Sequence, residues 1–207
     1  MKKIWIGLLK MGGWKISIPD KGERPEIAHC VLIMAPHTSW ADYFVGASVL
    51  VGAGTTPRIF VKSDYFNWFT RPLLKRLGLV PVDRGNRKNN LVQQAIDELK
   101  AHDDILVVIT PEGTRKPVKR FKRGFYDIAM GAGVPIVLGH IDYKKKEAGY
   151  GPTLVPTGDY DADFEKIIEY FRPIHAKHPE GWYWNVNDND NLNDNLNVNL
   201  NVNDNKN

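Results

Sequence analysis

The sequence predicts an α/β fold: a single domain with a mixed, largely covered β-sheet and surrounding helices. Three observations carry this. Short apolar runs alternate along the chain with stretches whose apolar residues recur at helical spacing. The run Ile105-Leu106-Val107-Val108-Ile109 is continuously apolar, as in strands buried on both faces. The chain has 207 residues with 43% hydrophobic content, enough for one well-buried core and too short for two.

Residues 1–16 come first. Ile4, Trp5, Leu8, Leu9 and Met11 fall near helical spacing, with Lys2, Lys3, Lys10 and Lys15 around them. Trp5 and Trp14 are placed to act as interfacial anchors. The apolar core is too short for a signal peptide and Lys10 ends it. Two readings stand: an amphipathic segment at a membrane surface, or a segment packed on its own domain, which Gly7, Gly12 and Gly13 favour by weakening a free-standing helix.

Cys30–Ala35 reads as a buried strand and residues 43–52 as a helix. Residues 58–62 read as a strand. Residues 68–77 read as a helix carrying Arg71, Lys75 and Arg76, which Gly78 closes. A short strand follows over 79–84, where Pro81 argues for a sheet edge or an irregular end. Leu91, Ala95, Ile96 and Leu99 line one face of a helix over 90–101. The strongest strand spans 104–110, then come a helix over 124–130 and a strand over 134–138. A turn-rich hairpin region runs through 150–157, and residues 161–171 form a last amphipathic helix with Asp at its start.

From Asn185 onward every odd-numbered residue is Asn, a low-complexity tail (185–207) that we read as disordered and dispensable to the core. It holds Asp188, Asp190, Asp194 and Asp204 against Lys206, a net of −3, so the body carries +7 of the overall +4. A basic body suits an anionic partner. The single cysteine, Cys30, excludes an internal disulfide and fits a reducing compartment. No stretch reaches the roughly 20 apolar residues of a membrane span.

Chemistry concentrates after two strands. In Ala35-Pro36-His37-Thr38-Ser39-Trp40-Ala41-Asp42, Ser39 and Asp42 approximate a capping box, with Ser39 as N-cap and Asp42 in the first turn. Within one helix, residues five apart point about 140° from each other at roughly 100° per residue. With His37 on the loop that restriction lifts, and the imidazole can fold back over Asp42. An Asp that accepts from one ring nitrogen leaves the other free to take a proton. The plainer reading is a capped helix beside an unrelated histidine. The second block is Thr110-Pro111-Glu112-Gly113-Thr114-Arg115, at the carboxyl end of the strongest strand, where open α/β sheets place ligands. Gly113 permits close backbone approach, Thr114 offers a hydroxyl, and Arg115 offers a fork matched to phosphate. Glu112 either orients Arg115 or anchors the loop. Lys116, Lys119, Arg120, Lys122 and Arg123 read as a solvated basic loop. A third block, Gly78 to Arg84, ends a strand with an arginine that, taken alone, reads as a surface charge.

In combination, these blocks resemble the glycerolipid acyltransferases, the 1-acylglycerol-3-phosphate O-acyltransferase family. His37 to Asp42 resembles the family's His-x4-Asp block, Gly78 to Arg84 its second block, and Pro111-Glu112-Gly113-Thr114-Arg115 its Pro-Glu-Gly-Thr-Arg block. Val134-Pro135-Ile136-Val137 resembles its last, apolar block. All four stand in family order. The resemblance implies an acyltransferase domain over 17–184 that moves a fatty acyl group from acyl-CoA or acyl carrier protein to a lysophospholipid hydroxyl. It implies His37 as general base held by Asp42, and Arg84, Glu112, Gly113, Thr114 and Arg115 as the site for the acceptor's phosphate. It further implies a protein in the cytoplasm, peripheral at the inner face of the membrane. The acyl thioester is a co-substrate, and no cofactor is expected. The alternatives are a non-glycerol hydroxylated lipid as acceptor, or an acyl-thioester hydrolase. His29, His37, His102, His140, His175 and His178 lack ligand spacing, so no metal is expected. No nucleic-acid partner is expected either, since the aromatic residues are not set on a basic strand face.

Overall fold

The computed structural model describes residues 2–19, 22–76, 78–82 and 91–182. One sheet organises them. Its strands are β1 (Lys15–Ser17), β2 (Cys30–Ala35), β3 (Thr56–Lys62), β4 (Leu79–Val82), β5 (Ile105–Ile109), β6 (Ile136–Asp142) and β7 (Glu147–Leu154). Their order is β1-β7-β6-β2-β5-β3-β4. β2 to β6 all run parallel, while β7 turns back antiparallel on β6 and carries β1 beside it. The sheet is therefore mixed, and the carboxyl ends of five parallel strands share one rim. Pro81 lies in β4, an edge strand, where its missing N–H leaves no inner ladder bond unmade.

Helices α1 (Lys2–Met11), α2 (Ala41–Ala53), α3 (Arg71–Arg76), α4 (Leu91–Ala101), α5 (Gly124–Ala132) and α6 (Tyr160–Phe171) surround the sheet. All six residues of β2 are buried, and alternate ones feed different cores. Val31, Ile33 and Ala35 join Ile105, Val107, Ile136 and Leu138 under α4, α5 and α6. Cys30, Leu32 and Met34 join Leu106, Val137 and Ile141 under α2. Burial pushes the Cys30 thiol up to about 12, as befits a structural cysteine.

The N-terminal segment packs on its own domain. Ile6 lies against Gly52, where a Cβ would stand 2.6 Å from Ile6 Cδ1, and Leu9 packs against the second core. Other differences from the sequence-based expectations have local causes. α3 begins only at Arg71 because Asn67 Oδ1 accepts from the N–H groups of Phe69 (3.0 Å) and Thr70 (2.8 Å), capping the turn before it. β6 starts two residues later than expected and runs on to Asp142, because Gly139 fits closely against Met34 and His140 pairs with Ala35. The hairpin expected over 150–157 is instead made by β6 and β7, and β1 was not expected. The Asn-rich tail lies outside the described residues. No helix among the described residues is long and apolar enough to cross a membrane.

Candidate active site

The loop after β2 and the loop after β5 emerge side by side, because β2 and β5 are paired parallel neighbours. His37 stands on the first loop, with Nδ1 3.3 Å from Asp42 Oδ2. Asp42 lies in the first turn of α2. Its Oδ2 also accepts the N–H groups of Thr38 and Ser39, both at 2.8 Å. Ser39 Oγ accepts from Ala41 N–H at 3.2 Å, and Trp40 already has helical dihedrals (φ −63°, ψ −27°). Only half of the expected capping box is present: the Asp42 carboxylate takes Ser39 N–H, whereas Ser39 Oγ takes Ala41 N–H rather than that of Asp42. Trp40 stands at the N-cap, and the same carboxylate also holds the histidine.

Two buried carboxyls hold the His37 loop. Asp42 is the first; its Oδ1 accepts Tyr143 O–H at 2.6 Å. Burial acts to raise its pKa, but the bonds from His37, Tyr143 and Ser39 outweigh this and hold it below the ordinary carboxylate value. Tyr143 is raised in turn, by burial and by its bond to Asp42. Glu112 is the second. It is 3% exposed, and its Oε1 accepts His37 N–H at 2.8 Å. Its Oε2 is buried without a hydrogen-bond partner. Burial prevails over the bonds from its own N–H and that of His37, and raises its carboxyl to about 7.

Thr114 and Arg115 lie partly exposed at the rim and Gly113 is exposed there, whereas Glu112 points inward as a loop anchor. The Arg115 guanidinium stacks on Trp40, with Cζ 3.5 Å from the ring centroid. Stacking occupies the face of the fork and leaves its N–H edges available to an anion. Gly113 has φ +65°, and a Cβ there would meet Lys122 Nζ at 2.7 Å. The positive φ requires glycine, whereas the lysine tip could move aside. The exposed Lys122 ammonium lies over the Gly113 turn. Arg84 lies outside the described residues; Val82, two residues before it, ends β4 at the same rim. Among the described residues, no three His, Cys, Asp or Glu side chains group as a metal site would need.

Sequence reasoning missed Tyr143, Lys122 and the segment after α6. Tyr143 N–H donates to His175 O (2.9 Å), and His178 N–H donates to Thr38 Oγ1 (3.2 Å), so residues 175–178 brace both ends of the site. Nothing local marks Tyr143 as the partner of a residue 101 positions away. Only the pairing of β6 with β2 brings it to Asp42.

Glu112 generates a pH-dependent stability difference. The native carboxyl keeps its proton to about pH 7, whereas an ordinary one releases it from about pH 4.5. Native chains then bind more protons than unfolded ones, so this contribution is complete below the lower value and is lost as pH rises through the upper one. Glu112→Gln keeps an acceptor for His37 N–H and removes the titration. The melting temperature of the variant relative to wild type is expected to rise between about pH 4.5 and about pH 7. Parallel profiles would contradict the assignment.

Residues 16–138 match the family model described as Acyltransferase. No curated protein matches the chain in a sequence comparison. The matched region runs from β1 into β6 and contains His37, Asp42, Glu112, Arg115 and Lys122, while Tyr143 and the bracing segment fall beyond it. With more than half of its length inside this match, the chain belongs to the Acyltransferase family, whose general chemistry is acyl transfer.

Proposed function

We propose that the protein transfers a fatty acyl group from an acyl thioester, carried by coenzyme A or an acyl carrier protein, to the hydroxyl of a phosphate-bearing lysophospholipid, of which 1-acylglycerol-3-phosphate is the best fit, at a membrane surface. The observation that carries this is the His37–Asp42 pair standing next to the Gly113–Arg115 turn, a base beside an anion site. His37 Nδ1–H donates to Asp42, and Nε2 takes the acceptor's proton as its oxygen attacks the thioester carbonyl. The tetrahedral intermediate collapses by breaking the C–S bond, and the imidazolium returns its proton to the departing thiolate. No acyl-enzyme forms. Asp42 stabilises the transient imidazolium, and Tyr143, bonded to the other carboxylate oxygen, orients it.

Arg115 and Lys122 hold the phosphate in this scheme, with Arg84 as a further ligand. Glu112 does not touch it in this scheme: its carboxyl is buried and accepts His37 N–H, so its role is to position the loop. The N–H groups of His37, Thr38, Ser39 and Ala41 already have acceptors, so none of these four serves as an oxyanion donor. Fixing base and acceptor together supplies effective molarities of about 10⁵ M or more.

Thiol release from palmitoyl-coenzyme A, measured with and without lysophosphatidate, tests the proposal. Release is expected only with acceptor, with a diacylated product by mass, and His37→Ala is expected to slow it about 10²–10⁴-fold. Equal release without acceptor would make the protein a hydrolase. Tyr143→Phe removes a donor from Asp42 and strengthens its hold on the imidazolium, so the acid limb of the kcat/KM profile is expected at higher pH. A lower rate with an unmoved limb would leave Tyr143 a purely structural role.

A further inference from the structure

We infer that residues 65–76 form a docking surface for an anionic lipid bilayer. Tyr65, Trp68, Phe69 and Leu73 are 61%, 89%, 75% and 60% exposed, although each is a residue that folding ordinarily buries. They follow one another within nine residues, just past the carboxyl end of β3, on the same rim as His37 and Arg115. Exposure here is a built feature. Trp68 and Phe69 meet edge to face, with centroids 5.9 Å apart. Asn67 Oδ1 accepts two backbone N–H groups of the turn, and Thr70 Oγ1 donates to Tyr65 O at 2.6 Å. The network holds both rings outward.

Charge identifies the occupant. Arg71, Lys75 and Arg76 are exposed around this apolar tip, and the sequence from Tyr65 to Val82 contains no Asp or Glu. Asp64, just before Tyr65, is the one acid adjoining the tip, against three exposed cations. An apolar aromatic tip with this excess of cations matches acyl chains beneath anionic headgroups. A second apolar island, Trp40, Tyr43 and Phe44, stands exposed at the start of α2 on the same rim. Docking through 65–76 would therefore turn the site toward the lipid surface. By contrast α1, the segment that sequence patterning offers as an anchor, spends Ile6 and Leu9 on its own domain. The inference rests on the proposed function for its purpose, and its test reads binding without turnover.

The full chain is sedimented with vesicles of phosphatidylcholine alone and of phosphatidylcholine doped with phosphatidylglycerol. The variants are Trp68→Ala with Phe69→Ala, and Arg71→Glu with Lys75→Glu. Both change exposed residues, and circular dichroism checks that they fold. Wild type is expected to bind the anionic vesicles preferentially. Each basic residue near an anionic leaflet strengthens binding about fivefold, so the charge-reversal pair is expected to lose more than about tenfold. The aromatic pair is expected to lose binding to both vesicles. Both variants are expected to keep wild-type turnover of a water-soluble short-chain acceptor. Vesicle binding undiminished in either variant, or absent in wild type, would overturn the inference. So would a wild-type dimer that the aromatic pair dissociates, or nucleic acid bound in place of vesicles. Docking lost in the variants of a protein that turns over no lysolipid would sustain the surface and sink the proposed function.

Discussion

A single buried carboxylate, that of Asp42, gathers four donors: two backbone N–H groups, a tyrosine hydroxyl and the His37 ring. An unpaired charge at that depth would cost several kcal/mol, and the four donors offset this. Three come from the loop after β2 and one, Tyr143, from just past the end of β6, while Asp42 itself stands on α2. The carboxylate thereby welds three separate parts of the chain at one point. His37 is held at its ring by Asp42 and at its backbone by Glu112, so the candidate base is located from two sides.

The sheet is what lets local chemistry converge. Five parallel strands deliver their carboxyl ends to one rim, and the loops after β2 and β5 become neighbours because those strands are hydrogen-bonded partners. The two loops have opposite electrostatic tasks. The first sets an imidazole against the buried Asp42 carboxylate; the second turns Glu112 inward under it and presents Arg115 and Lys122 outward around a glycine turn. The chain belongs to a family whose general chemistry is acyl transfer, and the proposed acylation of a hydroxyl on a phosphate-bearing molecule would use the two loops as base and anion site.

Much of this was legible in the sequence where the signal is local. The buried strand Cys30–Ala35 matches its pattern residue for residue, and of the Ser39–Asp42 capping pattern the bond from Ser39 N–H to the Asp42 carboxylate is present. Pro81 argued for an edge or an irregular end, and of the two it is the edge that the described sheet has. What could not be read depends on topology or on side-chain reach. Tyr143 meets Asp42 only through the crossover that places β6 beside β2. Lys122 reaches back over Gly113 by the length of its stem, which no residue spacing reveals. Glu112, expected at the phosphate, turns inward because His37 N–H needs an acceptor under the loop.

The proposed acyl transfer requires Asp42 to fix the His37 ring with Nδ1 protonated and Nε2 free to accept a proton. Two-bond proton–nitrogen correlation of the imidazole, assigned by comparison with His37→Ala, measures this directly. A protonated Nδ1 and a bare Nε2 are expected for the neutral ring in wild type, with that preference lost in Asp42→Asn. A ring protonated at Nε2, or one whose tautomers are unaffected by Asp42→Asn, would contradict it.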